Sequence, residues 1–359
     1  MAELKFIERK FAGLQKFSWF NVCIKPYRVL NFLRKFIPSI VNGKISEEID
    51  RYISSNLTQK ERFSIYLDIL SANILYGASI VNYFTYDFYL KSGLQRKEFI
   101  TEGQSRRIWY AFNPPIYRDI FREKNQTYKV FKDFIDREYL FLAEVTDFKA
   151  FEEFCHRHKE IFIKPKNASW GRGARKVRID NSINLVDLYE ECYDNQYIVE
   201  EVIVQHPDLA AFHPSSLNTI RVSTVVTKNG VKIMKPSFFK MGNHGSVNDN
   251  YSSGGLLSEI DINTGIIYTG GFDKNRNQYF SHPTSKLQIK GFRIPFWEEI
   301  RSFAQKLAYV VPQNRYVGWD IALSINGKPL LVEGNEHGDF FTFTQPGNRK
   351  MYEDALKEI

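Results

Sequence analysis

The sequence predicts an α/β (α+β) fold, with a mostly helical N-terminal region over residues 1–115 followed by mixed helices and strands. Three observations carry that prediction. Apolar residues recur at helical spacing in the first third of the chain, where capping signals also fall. The pair Pro114–Pro115 then interrupts the pattern. Beyond it, Asn/Gly turn signals separate short runs rich in β-branched residues, the mark of antiparallel hairpins.

Taken in order, Val29, Leu33, Phe36 and Ile37 share helical spacing among Arg28, Arg34 and Lys35. Thr58 with Glu61 has the form of a capping box opening a long helix, and Thr101 with Gln104 opens a shorter one. A helix is expected over 124–135. Another is expected over 147–158, where Phe148, Phe151, Phe154 and Cys155 fall on one face. IFIKP at 161–165 and YIVEEVIV at 197–204 read as strands. Hairpin turns are expected at Asn229–Gly230, Asn263–Gly265 and Asn326–Gly327, with a helix over 296–310 before the last. There is no internal repeat.

Composition excludes several classes. Of the 359 residues, 43% are hydrophobic and 25% charged, ordinary values for a globular protein. No apolar run reaches the length of about 18 residues that a spanning helix needs, and MAELKFIERKF is too interrupted by charge for a secretory core. Cys23, Cys155 and Cys192 are odd in number and far apart, against both a disulfide framework and a cysteine zinc site. A reducing cytoplasm is the simplest setting. The net charge of +8 is concentrated: residues 1–45 hold nine basic residues against Glu3 and Glu8, +7 of the total. A nucleic-acid enzyme more often spreads its basic stripe over the main groove, so no nucleic-acid partner is expected. The basic, aromatic-rich stretch 5–37 instead suits peripheral contact with anionic lipid, or helices packed on the body with their lysines in water.

The last hairpin permits a geometric derivation. If Asn326–Gly327 is a two-residue turn, Ile325 faces Lys328 and Asp320 faces Glu333. Their Cβ atoms then stand about 5 Å apart, and like charges so opposed destabilise a sheet unless a cation intervenes. Asn335 follows on the same face. With a four-residue loop, Asp320 faces Asn335 instead. Either register gathers hard oxygen ligands of the kind Mg²⁺ takes, although an exposed polar strand face would look the same.

Other segments carry chemistry. IFIKPKNASWGRGARKV brings Lys164 at a strand end to a small polar loop with Asn167, Ser169, Gly171, Arg172 and Gly173. Glycines let backbone N–H groups approach phosphate, and a strand lysine can contact it as a point charge, but a plain hairpin turn has the same composition. In YIVEEVI, Glu200 and Glu201 interrupt an apolar run, as at a nucleotide-contacting strand edge or on a strand with one exposed face. Arg221 lies inside the β-run LNTIRVSTVV. Lys240, Asn250, Ser252, Ser253, Gly254 and Gly255 follow in a segment that suits a substrate loop or a simple connection. The histidines form no HExxH pattern, and no GxSxG is present.

The order of these features resembles the ATP-grasp superfamily, and it is most similar to the sugar-transfer-associated branch. The resemblance rests on Lys124 in REKNQTYKVF, the strand lysine with its loop, IVEEVIVQHPDLAAF–HPSSLNTIRVSTVV, the following SSGG, and GWDIAL…LLVEGN. It covers roughly 116–340. It implies two α+β subdomains, 116–204 and 205–359, with nucleotide between them. It implies that Lys124 and Lys164 contact nucleotide phosphates together with Ser169, Gly171 and Gly173. Glu200, Glu201, Val202 and Ile203 would form the adenine hinge, with Asp208 a ribose contact. Asp320, Glu333 and Asn335 would hold Mg²⁺. Arg221 and Lys240 would stabilise the transferred phosphate or the acyl phosphate, and Asn250 would sit in the substrate loop. The bulky Trp170 and Arg172 depart from the small residues commoner in that loop.

The implied function is an ATP-dependent carboxylate–amine ligase forming a C–N bond through an acyl phosphate. Its cofactors would be ATP and Mg²⁺. Its partners would be a small carboxylate and an amine, one of them a sugar or sugar nucleotide in polysaccharide or sugar-conjugate biosynthesis. Two rival readings are a kinase of a small hydroxyl substrate, and a membrane- or partner-binding protein with a degenerate ATP site.

Overall fold

The computed structural model describes residues 18–144, 147–166, 173–244, 249–338 and 348–359. Ser169 and Gly171, with the rest of 167–172, lie outside the described residues.

The helical region begins with Ser18–Val41, Lys44–Tyr52 and Gln59–Tyr76. Thr58 caps the last of these as its sequence signals: Glu61 Oε2 accepts from the Thr58 N–H at 2.7 Å, and the Thr58 hydroxyl oxygen accepts from the Glu61 N–H. Gly77 closes that helix at φ 70°, a left-handed conformation suited to glycine. In the first helix, Phe32 and Phe36 stack in the core at 5.1 Å between ring centres. The expected face is rotated, because Ile37 is 56% exposed.

A four-stranded antiparallel sheet follows, built from β1 (Tyr139–Phe141), β2 (Glu160–Pro165), β3 (Arg175–Arg178) and β4 (Tyr197–Glu201) in the order β1-β4-β2-β3. Helices Phe148–Arg157 and Leu185–Asp194 supply Phe151, Phe154, Cys155, Leu188 and Cys192 to its core. Both cysteines are free and buried, and burial pushes their thiols up, to about 11 and about 12. The helix expected over 124–135 is shorter. Lys124–Val130 is helical, and Lys132–Phe134 tightens into a 3₁₀ turn after the buried Phe131.

The second sheet has seven antiparallel strands: β5 (Thr219–Thr227), β6 (Gly230–Met241), β7 (Leu256–Ile260), β8 (Gly271–Phe272), β9 (Gln278–Tyr279), β10 (Tyr316–Leu323) and β11 (Pro329–Asn335). Their order is β11-β10-β5-β6-β7-β8-β9. The first hairpin turns one residue earlier than expected, because Thr227 pairs with Gly230 around Lys228–Asn229. Helix Trp297–Val310 packs on the sheet through Trp297, Ile300, Ala304 and Leu307. Another core joins Val225, Met234 and Tyr316 to helix Glu102–Phe112 and the C-terminal helix Asn348–Lys357. The end of the helical region is thus built into the larger sheet.

Candidate active site

A cavity of about 810 Å³ lies between the two sheets. Its lining includes Lys124, Lys164, Glu200, Glu201, Val202, Ile203, Arg221, Lys240, Asn250, Asp320, Glu333 and Asn335. Two other residues named from the sequence lie elsewhere. Gly173, at φ 72°, makes the turn into β3 against Pro165, and Asp208 is exposed near His206. Phe121, Phe162, Leu257 and Val332 add apolar wall suited to a flat ring.

On the smaller sheet, Lys164 and Glu200 share a face because Phe162 pairs with Glu200 and Lys164 with Ile198. Lys164 Nζ lies 2.9 Å from Glu200 Oε1 and 2.6 Å from the Tyr128 hydroxyl. Arg137 Nη2 also reaches Glu200, at 3.2 Å, while Nη1 donates to the Leu331 carbonyl on β11. Burial pushes the Glu200 carboxyl up to about 8 and the Lys164 ammonium well below the usual lysine range, helped by Arg137 and Lys124. Lys124 Nζ donates to the Pro165 and Lys166 carbonyls at 3.4 Å, at the entry to the glycine loop. Glu201 ends the strand, and Val202 and Ile203 follow outside its ladder.

On the larger sheet, Asp320 is opposed by Glu333 on one side and Arg221 on the other. The Asp320–Glu333 pair matches the sequence derivation but arises differently. Ser324 N–H donates to the Lys328 carbonyl, so the loop has three residues, closed by Gly327 at φ 78°. Near the turn the register is therefore one residue off: Ile321 faces Leu331. An extra residue, Val332, then bulges from β11 between Asp320 and Ile321 and restores the Asp320–Glu333 and Gly318–Asn335 pairs.

The compensating positive charge comes from the chain itself. Arg221 grips Asp320 with two hydrogen bonds, 2.6 Å from Nε and 2.9 Å from Nη2, and Lys240 Nζ adds a third at 3.3 Å. Burial alone would raise the Asp320 carboxyl, but Arg221 and Lys240 outweigh it and hold it at about 2. Burial likewise opposes the Lys240 charge, yet Asp249 and Asp320 keep it above the usual range. Asp249 was not singled out from the sequence. It accepts from the Thr219 N–H and hydroxyl and lies 3.5 Å from Lys240. Its only signal was an acid inside NDN, beside Asn250. Arg137 and Tyr128 were also missed, since their role depends on tertiary contact.

Asn335 Nδ2 approaches Asp320 Oδ2 at 3.4 Å, so these side chains converge, with Glu333 exposed toward the same cavity. Among the described residues no group of three or more His, Cys, Asp or Glu forms a preformed metal cage. Asp320 and Glu333, with the Asn335 amide once its oxygen is turned inward, would supply an incomplete hard-oxygen set. That set fits Mg²⁺, which keeps waters and binds through carboxylates and phosphate oxygens. Lys124, Lys164, Arg221 and Lys240, with Arg137 and Lys176, make the cavity lining rich in positive charge, which suits a polyphosphate.

Two sheets face one cavity, with Lys124 and Lys164 at the smaller and an acid–asparagine set on the larger, the arrangement expected of an ATP-grasp protein. The sugar-transfer associated ATP-grasp family matches residues 104–359, and the chain belongs to that family. The match begins inside the helical region and runs to the last residue, beyond the 116–340 suggested by motifs. No curated protein matches the chain. Among solved structures, it is similar to the ATP-grasp ligase PsnB complexed with minimal precursor, Mg and ADP (14% identity, 76% of this chain and 70% of that one, TM-score 0.41). It is also similar to N5-carboxyaminoimidazole ribonucleotide synthetase from Thermotoga maritima (11%, 69% and 52%, 0.41). A third is D-alanyl-alanine synthetase A from Vibrio cholerae O1 biovar eltor (14%, 69% and 62%, 0.41).

Proposed function

We propose that the chain is an ATP-dependent carboxylate–amine ligase working through an acyl phosphate on a sugar-linked substrate. The observation that carries the reading is the opposition of Asp320 and Glu333 beside Arg221 and Lys240, facing Lys164 across one cavity. A substrate carboxylate oxygen attacks the γ-phosphorus of ATP, forming an acyl phosphate and releasing ADP. An amine then attacks the acyl carbon, phosphate leaves, and the nitrogen loses a proton. Mg²⁺ held by Asp320, Glu333 and Asn335 would neutralise phosphate charge. Lys124 and Lys164 bind and orient the nucleotide phosphates. Arg221 and Lys240 fix Asp320 and place positive charge where the phosphoryl group moves. Val202 and Ile203 would offer backbone groups to the base.

The test is ADP release with panels of acids and amines, uronic acids and amino sugars included, together with hydroxylamine trapping. Acid-dependent ADP release with hydroxamate formation is expected. A phosphate ester without hydroxamate means a kinase, and Mg–ADP binding without turnover of any acid sinks the ligase reading.

The free, buried thiols favour a reducing cytoplasm. A second reading, peripheral membrane contact, draws on the first helix, where Val22, Tyr27, Leu30, Ile37 and Val41 are exposed among Lys25, Arg34 and Lys35. Among the described residues no helix is long and apolar enough to cross a membrane. Co-sedimentation with phosphatidylglycerol vesicles should fall in Leu30→Gln/Val41→Gln, and equal binding removes the idea.

A further inference from the structure

A second cavity, of about 1000 Å³, opens between the N-terminal helices and the segment after β11. Most of its lining precedes residue 104 and so lies outside the family match. Its charge is one-sided. Among the described residues, Lys25, Arg28, Lys35, Arg106, Arg107 and Arg349 line it against one acid, Glu102. Part of that charge is already used: Arg106 pairs with Glu102 at 2.6 Å, and Arg349 with Glu353 at 2.7 Å. Lys25 and Lys35 make no ion pair among the described residues, and the shielded Nε of Arg107 makes no hydrogen bond among them. Like charges around one concave surface repel unless an anion joins them, and low-dielectric walls focus their potential on it. The first turn of helix Glu102–Phe112 does not supply the attraction. Its Glu102 N–H already donates to Asn82 and its Gly103 N–H to Gly77.

The cavity also reaches the chemistry. His337 lines both it and the nucleotide cavity, two residues beyond Asn335. The wall between them is pinned. Trp109 Nε1 donates to the Glu336 carbonyl at 2.7 Å, Asn113 adds a bond at 2.8 Å, and Arg122 holds the Glu336 carboxylate. The volume is at the upper end of the range for small-molecule sites, enough for a diphosphate joined to a sugar or a lipid. Apolar Leu75 and Val81, 63% and 66% exposed, lie on its rim.

We propose that this second cavity binds the diphosphate of the ligase's own substrate and presents the rest of that molecule past His337 to the nucleotide cavity. As a substrate subsite it rests on the ligase reading. As a diphosphate site it stands on its own residues.

The full chain, saturated with Mg–ADP so that the nucleotide cavity is filled, is titrated calorimetrically with inorganic pyrophosphate, UDP and farnesyl diphosphate. Saturable binding is expected, weakened about tenfold or more in Lys35→Gln/Arg107→Gln with Mg–ADP affinity unchanged. Lys25→Gln/Lys35→Gln changes only exposed side chains, so it keeps the test valid if the first variant folds poorly. UDP binding tighter than farnesyl diphosphate identifies a soluble sugar-nucleotide source, and the reverse identifies a lipid-linked one. Either supports the site. No saturable binding of any probe, equal binding by wild type and both variants, or binding only to phosphatidylglycerol vesicles overturns it. If Mg–ADP itself fails to bind, the ligase reading fails, and the same titrations without ADP still decide this cavity.

Discussion

Asp320 is a buried carboxylate gripped by Arg221 and Lys240, and under the proposed function it would also help to hold Mg²⁺. Asp320→Asn leaves Arg221 and Lys240 facing a neutral amide in a buried place. Breaking such a pair should lower unfolding stability by about 3–5 kcal/mol. Urea titration checks that, and calorimetry should show Mg–ADP affinity falling at least about tenfold. Because Asp320 is held at about 2 instead of the ordinary 3.8, its contribution is complete above about pH 4 and is lost as pH falls through about 2. The wild type should lose more stability than Asp320→Asn over that interval. Lys164 behaves oppositely. Burial lowers its pKa and raises that of Glu200 to about 8. A phosphate beside Lys164 favours the ammonium form. Mg–ADP binding should therefore be accompanied by proton uptake, seen by calorimetry in buffers of different ionisation enthalpy, and Lys164→Met should reduce it. The meeting of these side chains was largely legible in the sequence because Arg221, Asp320 and Glu333 stand out against apolar strands. Asp249 and Arg137 were not, since both lie outside the strands among other polar residues and meet Thr219 and Glu200 only in the fold.

At the level of elements, the β10–β11 hairpin succeeds through two compensating irregularities. The three-residue loop shifts the register by one, and the Val332 bulge shifts it back before the strands reach Asp320. Asn–Gly told of a hairpin, but turn length depends on backbone conformation, and nothing in the strand sequence marked the bulge. Gly327 carries φ 78°, and an added Cβ would fall 2.5 Å from the Phe296 ring. Gly327→Ala should destabilise the protein by about 1–2 kcal/mol from the left-handed conformation alone. Thermal melts measure that loss. Unchanged melting would mean that the turn relaxes freely.

The whole molecule couples regions that the sequence separates. Helical periodicity located the N-terminal region, but the break at Pro114–Pro115 hid its continuity with the larger sheet. Trp109, Tyr110 and Phe112 share a core with Tyr316 and Tyr352. Hydrogen exchange should therefore find helix Glu102–Phe112 opening together with β5 and β10 as one cooperative unit. Independent early exchange of that helix would contradict the shared core.

The peptide linking Asn335 to Glu336 joins two territories. One residue faces the cavity between the two sheets, and the next is clasped by Trp109, Asn113 and Arg122. For protein engineering, this makes the catalytic lobes a poor unit to excise or to graft onto a foreign leader. A chimaera joined at the prolines would carry β10 and β11 while leaving behind the indole that anchors their end. The useful crossover lies upstream of residue 100, where the transplanted piece brings its own clamp.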